Sequence, residues 1–287
     1  MNLFKTTILL TALTLILILA GEYFAGSDGA LIAFAIAAAM NFFSYFYSDK
    51  IALSMYRAQP VTREQLPRVY EVMDRLTGRA GIPMPKIYVI PTDSPNAFAT
   101  GRNPNHASVA VTHGILALLS DEELEGVLAH ELSHVRNRDI LTSSIAATLA
   151  GAITILARMA FWFGAIAGGG DRRRGGGLGE LFMLLFAPFA AMLIQLWVSR
   201  TREFEADASG AHLTGNPYAL ASALEKISGA SRRVPLLASP NSAHMFIIAP
   251  LLSGATFANL FSTHPPVQKR IERLIGRPSL LGAGVRE

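Results

Sequence analysis

The sequence predicts a mainly α-helical membrane protein, with about four apolar membrane helices plus a cytoplasmic α+β portion that carries a small sheet. Three observations carry that reading. Hydrophobic residues make up 51% of the 287, charged residues only 16%, and mean hydropathy is +0.35, which is too apolar for an ordinary soluble domain. The apolar residues are bunched into four runs rather than spread as periodic stripes. The polar segments around those runs have helical and strand periodicity of their own.

Residues 1–50 read as an N-terminal transmembrane hairpin. Thr6 to Ala20 (TTILLTALTLILILA) carries no charge, its apolar character continues past Glu22 to about Ala25, and Ala30 to Tyr47 forms a second uncharged run. Each is close to the length that crosses a hydrocarbon core. A signal peptide is the weaker reading, because no small-x-small cleavage site separates the runs. Lys5 precedes the hairpin and Lys50, Arg57 and Arg63 follow it, whereas the connection holds only Glu22 and Asp28, so both ends should face the cytoplasm.

Residues 140–199 hold the second apolar pair. Ile140 to about Ala167 is broken by Arg158, Leu181 to Val198 contains Pro188 and Gln195, and a Gly/Arg-rich loop at 168–180 joins them. If the pair crosses the membrane, Arg172, Arg173 and Arg174 land outside, against the positive-inside tendency. The alternatives are a hairpin that stops short of crossing and a groove wall shielded by protein. Arg158 either snorkels to an interface or faces a wet cavity.

Residues 51–139 read as the first part of the cytoplasmic domain. Thr62 is placed to cap a helix with Leu66, Val69, Tyr70 and Met73 on its apolar face, ending near Gly78 to Gly81. KIYVI (86–90) and SVAVT (108–112) read as strands around the turn-rich PTDSPNAFATGRNPNHA. Ser120 with Glu123 forms a capping box for a helix whose buried stripe is Leu124, Val127, Leu128, Leu132 and Val135. Residues 200–287 form the second part, with a helix over Val267 to Ile275.

The capped helix contains AHELSH. His130 and His134, at i and i+4, project from one face so that both imidazoles reach one ion, and Glu131 stands beside the first as a carboxylate able to take a proton from water. With no cysteine in the chain, any metal must be held by His and carboxylate. An accidental histidine pair on a helix surface is the bland alternative. A catalytic zinc needs a third protein ligand and keeps one position open. Glu203, in SRTREFEADASG, is the best candidate, with Asp207 one turn on to hydrogen-bond a ligating histidine. The bland alternative is a charged juxtamembrane helix in which Arg200, Arg202 and Glu205 are solvated. His106, His113, His212 and His244 are expected to be structural or solvated.

AHELSH, EFEAD and STHPPVQKRI, in this order, resemble the HtpX family of integral-membrane zinc metalloproteases, gluzincin-type relatives of the CAAX prenyl proteases. The resemblance implies one zinc ion held by His130, His134 and Glu203, with Glu131 as general base and Asp207 fixing a histidine. It further implies that His264 steadies an oxyanion, that Arg270 organises the site, and that Asn96 and Phe98, in PNAFATG, bind substrate just before an edge strand. From the residues alone, Asn96 sits in a turn and His264 in a rigid turn before a helix.

The expected activity is zinc-dependent endoproteolysis of misfolded or damaged membrane proteins at the cytoplasmic face of a bacterial-type inner membrane, a quality-control role in stress response. Its partners are those substrates and the lipid bilayer. The competing readings are a selective CAAX-type processing protease and a non-catalytic membrane protein with a structural zinc site or a metal-handling role. Net charge +4 reads as cytoplasmic positive flanks, and nothing resembles a nucleic-acid module.

Overall fold

The computed structural model of the chain describes residues 2–141, 145, 200–231, 247 and 265–276. The third and fourth apolar runs, with Arg158 and the arginines at 172–174, lie outside the described residues, as do His244 and His264. The chain divides into two compact units: Met1–Ser48 with Ile145–Trp197, and Asp49–Ser144 with Val198–Glu287.

The helix α1 (Asn2–Met55), which belongs to the first unit as far as Ser48, is continuous in its backbone but folds back on itself. Asn41 Nδ2 donates to Thr14 Oγ1 at 2.9 Å, whereas a straight helix would hold those residues roughly 40 Å apart. The bend falls at Gly26, whose φ of +62° is a left-handed conformation that only glycine adopts without strain. The arms meet closely just before it: a Cβ on Gly21 would lie 2.3 Å from the Gly29 carbonyl oxygen. Gly26–Tyr47 is, among the described residues, the one helical stretch long and apolar enough to cross a membrane, and Leu31, Ile32, Phe34, Phe42 and Phe43 are exposed along it.

The second unit is built on a four-stranded sheet, β1 (Gln59–Pro60), β2 (Lys86–Ile90), β3 (Ala97–Gly101) and β4 (Ala107–Thr112), in the order β1-β2-β4-β3. β2 and β4 are parallel and the outer strands antiparallel. The segment PNAFATG therefore contains the edge strand itself rather than leading up to one. Alternation along the strands turns Ala97, Ala99, Val109, Val111 and Ile87 into the helix-packed core. Phe98 faces the other way, against the ring of Tyr56 at 5.8 Å.

The helix α2 (Pro67–Ala80) starts later than the Thr62 cap suggested. Thr62 instead closes a turn, its carbonyl accepting from the Leu66 N–H. Pro67 then sets the first helical turn, because its fixed φ suits that position and the N–H it lacks is not needed there. Gly81, at φ 65°, ends the helix. After the short α3 (His113–Leu118) comes α4 (Asp121–Arg136), whose Ser120–Glu123 capping box forms as the sequence predicts. All five residues of its predicted stripe are buried. Two later helices pack on α4, α5 (Arg200–Thr214) and α6 (Pro217–Ser231), and α7 (Val267–Ile275) packs against those two.

Two glycines let them approach. A Cβ on Gly126 of α4 would lie 2.9 Å from the Leu220 nitrogen of α6, and one on Gly210 of α5 would lie 2.9 Å from the His130 nitrogen of α4. These contacts are backbone against helix, so no side chain can swing away to make room. The second sets the separation of the two helices that carry the histidines and the carboxylates.

Candidate metal centre

Helical spacing on α4 stacks His130 and His134 one turn apart, their rings 4.9 Å between centroids. The next helix supplies the third group. Glu203 points its carboxylate at both rings, with Oε2 3.8 Å from His130 Nε2 and Oε1 3.6 Å from His134 Nε2. One ligand atom from each of the three residues lies within 4.8 Å of the others. Two imidazole nitrogens and a carboxylate oxygen are the donor set that zinc takes at distances near 2 Å, so these residues fit a single divalent ion with only a small contraction.

The remaining ring nitrogens meet carboxylates. His130 Nδ1 lies 2.9 Å from Asp207 Oδ1, one helical turn beyond Glu203 on the same face of α5. His134 Nδ1 lies 3.4 Å from Asp139 Oδ2. Asp207 is clamped by Arg270 of α7, whose Nε and Nη2 donate to its two oxygens at 2.8 and 2.6 Å. Arg270 is 1% exposed. Its position in the sequence explains why: Val267, Arg270, Ile271 and Leu274 recur at the spacing of one helix face, and Arg270 is the charged member of that apolar face.

Charge decides what the cluster can hold. Glu131, Glu203, Asp207 and Asp139 face Arg270 and Arg202, so four carboxylates are set against two guanidiniums among the described residues. A divalent cation would balance the fully ionised set; without one, the groups balance through protonation of Glu131 and His134. With protein groups alone, burial pushes Glu131 up to about 8, helped by Glu203 and opposed by His134. Burial pulls His134 down, but Asp139, Glu203 and Glu131 outweigh it and carry the ring up to about 9. Burial lowers His130 despite Asp207, which favours the neutral imidazole that a metal needs. Asp207 is pushed up by its burial, yet Arg270 holds it down at about 2.

Glu131 is itself fixed by the sheet. Its Oε2 accepts from the Ala99 N–H of edge strand β3 at 2.9 Å. The neighbouring edge carbonyl, Ala97, accepts from the Ile247 N–H at 3.3 Å, and the Ile247 carbonyl accepts from Arg270 Nη1 at 2.7 Å. Thus the structure brings together His130, Glu131, His134, Glu203, Asp207 and Arg270. Asn96 and Phe98 do not reach the cluster with their side chains: both are buried. Asn96 Oδ1 accepts from the Ala97 N–H, and strand alternation turns Phe98 to the far face. It is the β3 main chain that touches the site.

Asp139, Ala99 and Ile247 are not residues the sequence singles out, and Arg202, which the juxtamembrane-helix alternative leaves solvated, is instead only 14% exposed and sits 3.6 Å from Asp139 Oδ1. Asp139 had a usable signal, a carboxylate five positions beyond the second histidine. Backbone groups of an alanine carry none. Of the other histidines, His113 and His212 are exposed, and His106 is exposed with its ring against Asn103 at 2.9 Å.

Gly210→Ala tests the packing that holds the two helices together. The added methyl must push α5 from α4, and the expected cost is about 1–3 kcal/mol, as for other insertions into close-packed interiors. Denaturant unfolding reads the loss, and chelator competition reads a weaker hold on zinc. An unchanged midpoint would show that the contact yields freely.

The pattern of peptidase family M48 matches residues 63–277, which includes every residue of the cluster. A protein named "Protease HtpX homolog" from Desulfatibacillum aliphaticivorans is 54% identical over 286 residues, 98% of this chain and 92% of that one. Another of that name from Syntrophobacter fumaroxidans is 55% identical over 277 residues, 94% of this chain and 98% of that one. Among solved structures, the crystal structure of S. mikatae Ste24p matches at a TM-score of 0.48 and 19% identity, over 95% of this chain and 65% of that one. The breadth of the family match and the near full-length identity to the HtpX homologues together show that the chain belongs to peptidase family M48 and is a metalloprotease.

Proposed function

We propose that this metalloprotease is a membrane-integrated zinc endopeptidase that hydrolyses peptide bonds of misfolded or damaged membrane proteins at the cytoplasmic face. The observation that carries the chemistry is the joint placement of Glu131 beside His130, His134 and Glu203, with its carboxylate held by the Ala99 N–H. His130, His134 and Glu203 would hold the zinc ion, which when bound would supply Lewis acidity toward the scissile carbonyl and the attacking water. Glu131 takes a proton from that water as its oxygen bonds to the carbonyl carbon. The same carboxyl then gives the proton to the amine nitrogen as the C–N bond breaks. Burial raises its basicity above that of an ordinary carboxylate, which suits a group that must hold the proton between the two transfers. Arg270 keeps Asp207 ionised and so keeps His130 turned with Nε2 toward Glu203. The role of His264 in steadying the oxyanion rests on the resemblance of THPP to the family motif.

Substrate recognition is assigned to the edge of β3. An extended chain adding there is read through main-chain hydrogen bonds, which tolerates many sequences. Ala97 and Ala99 already engage Ile247 and Glu131, so addition beside them proceeds by exchange of those bonds. Membrane integration is supported by the apolar span Gly26–Tyr47, and the cytoplasmic side by Lys5, Lys50, Arg57 and Arg63 at the ends of the hairpin. Together these features favour exposed backbone of unfolded membrane proteins as the substrate class.

The test is cleavage of an unfolded model protein by the detergent-purified full chain. Cutting is expected with zinc, is lost with a chelator, and returns when zinc is restored. A chain that binds one zinc ion and leaves the unfolded protein intact overturns the endopeptidase reading.

A further inference from the structure

Both histidines of the cluster turn Nδ1 to a carboxylate and Nε2 to Glu203, but the two carboxylates come from different places. Asp207 belongs to α5 and is locked by the buried Arg270. Asp139 follows α4 by three residues, and its side chain is 8% exposed. Its Oδ2 lies 3.4 Å from His134 Nδ1, while its Oδ1 lies 3.6 Å from Arg202 Nη1. Arg202 immediately precedes Glu203 on α5. The carboxylate therefore bridges one ligating residue and the neighbour of another, tying the end of α4 to the start of α5.

We infer that Asp139 is a positioning residue of the metal centre, holding His134 by Nδ1 as Asp207 holds His130, with Arg202 as its counter-ion. The inference rests on the metal-centre reading above. Its physical need is specific to His134. That ring lies in the last turn of α4 and its side chain is 16% exposed, against 1% for His130. Packing alone leaves its side-chain torsions less constrained. A carboxylate at Nδ1 fixes the tautomer, puts the lone pair on Nε2 and makes the ring a stronger donor to a cation. Arg202 holds the other oxygen, so the carboxylate has one orientation that serves both.

Asp139 also has an ordinary structural explanation, since residues 139–141 are helical and an acidic side chain suits a first helical turn. The two explanations separate by experiment. Asp139→Ala and Asp139→Asn are made in the full-length chain, purified in detergent, and compared with wild type in three measurements. These are the zinc dissociation constant by chelator competition, the d–d absorption of the cobalt(II)-substituted protein, and the unfolding midpoint without metal. Asp139→Ala is expected to raise the zinc dissociation constant by about 10–100-fold, the usual effect of losing a group that orients a ligating histidine, and to alter the cobalt spectrum. Asp139→Asn keeps an acceptor for Nδ1 but not the charge, and is expected to fall between wild type and Asp139→Ala.

A purely structural role predicts instead a lowered midpoint with wild-type zinc affinity and an unchanged cobalt spectrum, and that result overturns the assignment. If Asp139→Ala does not fold, the Asn variant decides alone: wild-type affinity and spectrum overturn the assignment, and a weakened site supports it. A wild-type chain that takes up no zinc overturns the metal centre and this assignment together.

Discussion

Glu131→Gln is expected to lower the rate of peptide hydrolysis by at least 10²–10⁴-fold, the range of general acid–base catalysis, while zinc binding stays at the wild-type level. The substitution is close to isosteric, and the amide oxygen can still accept from the Ala99 N–H that holds the native carboxylate. Position and packing should survive. What disappears is the ability to accept a proton from water and pass it to the departing amine, two steps served by one group, so the loss belongs at the upper end of the range. Cleavage of an unfolded protein with metal content measured in the same preparation reads the result. Equal cutting by the substituted protein would remove Glu131 from the proton transfers altogether.

Arg270→Ala is expected to produce the largest loss of stability. Arg270 is buried with Asp207, and removing one member of a buried pair strands the other as an uncompensated charge, at a cost of about 3–5 kcal/mol. The carbonyl of Ile247 loses its donor as well. Because Asp207 is held at about 2, below its ordinary value, the pair's contribution is fully present above the unfolded pKa near 4 and fades as pH falls toward 2. Unfolding by denaturant near neutral pH should therefore show the full effect, and acid conditions a smaller one. The double substitution Arg270→Met with Asp207→Asn removes the Asp207 charge together with its partner and should recover part of the stability, but not all of it, because Glu203 Oε2, 3.7 Å from Arg270 Nη1, also loses a guanidinium, and not the hold on a metal, since His130 has lost its carboxylate. A wild-type midpoint for Arg270→Ala would mean that the buried pair contributes nothing net.

What could be read from the sequence followed how local the cause was. Ser120 and Glu123 cap α4, His130 and His134 share one of its faces, Lys86–Ile90 is a strand, and Val267–Ile275 is a helix; each depends on residues within a turn or two of one another. Glu203 and Asp207 needed only the i, i+4 rule applied to a second helix. Thr62 misled because it closes a turn as readily as it caps a helix, and Pro67 four residues on determined the start. β3 was hidden because AFATG lacks β-branched residues except Thr100, and its pairing with β4 is set by tertiary packing. Asp139 meets His134 only because the chain turns sharply after α4, where Arg138 adopts φ 58°. The Ala99 N–H and Ile247 carbonyl act through the main chain, for which side-chain identity gives no sign.

The division of the cluster between α4 and α5 has a consequence in time. Glu203 lies 69 positions after His134, and Arg270 follows later still. At a synthesis rate of about 5–20 residues per second, several seconds separate the appearance of the histidines from that of the carboxylate that faces them. A ribosome-bound chain thus carries the two histidines without Glu203 through the whole interval in which residues 140–199 are made. On the proposed mechanism, activity waits until α5 and α7 have been made, so the nascent protein is spared its own hydrolysis.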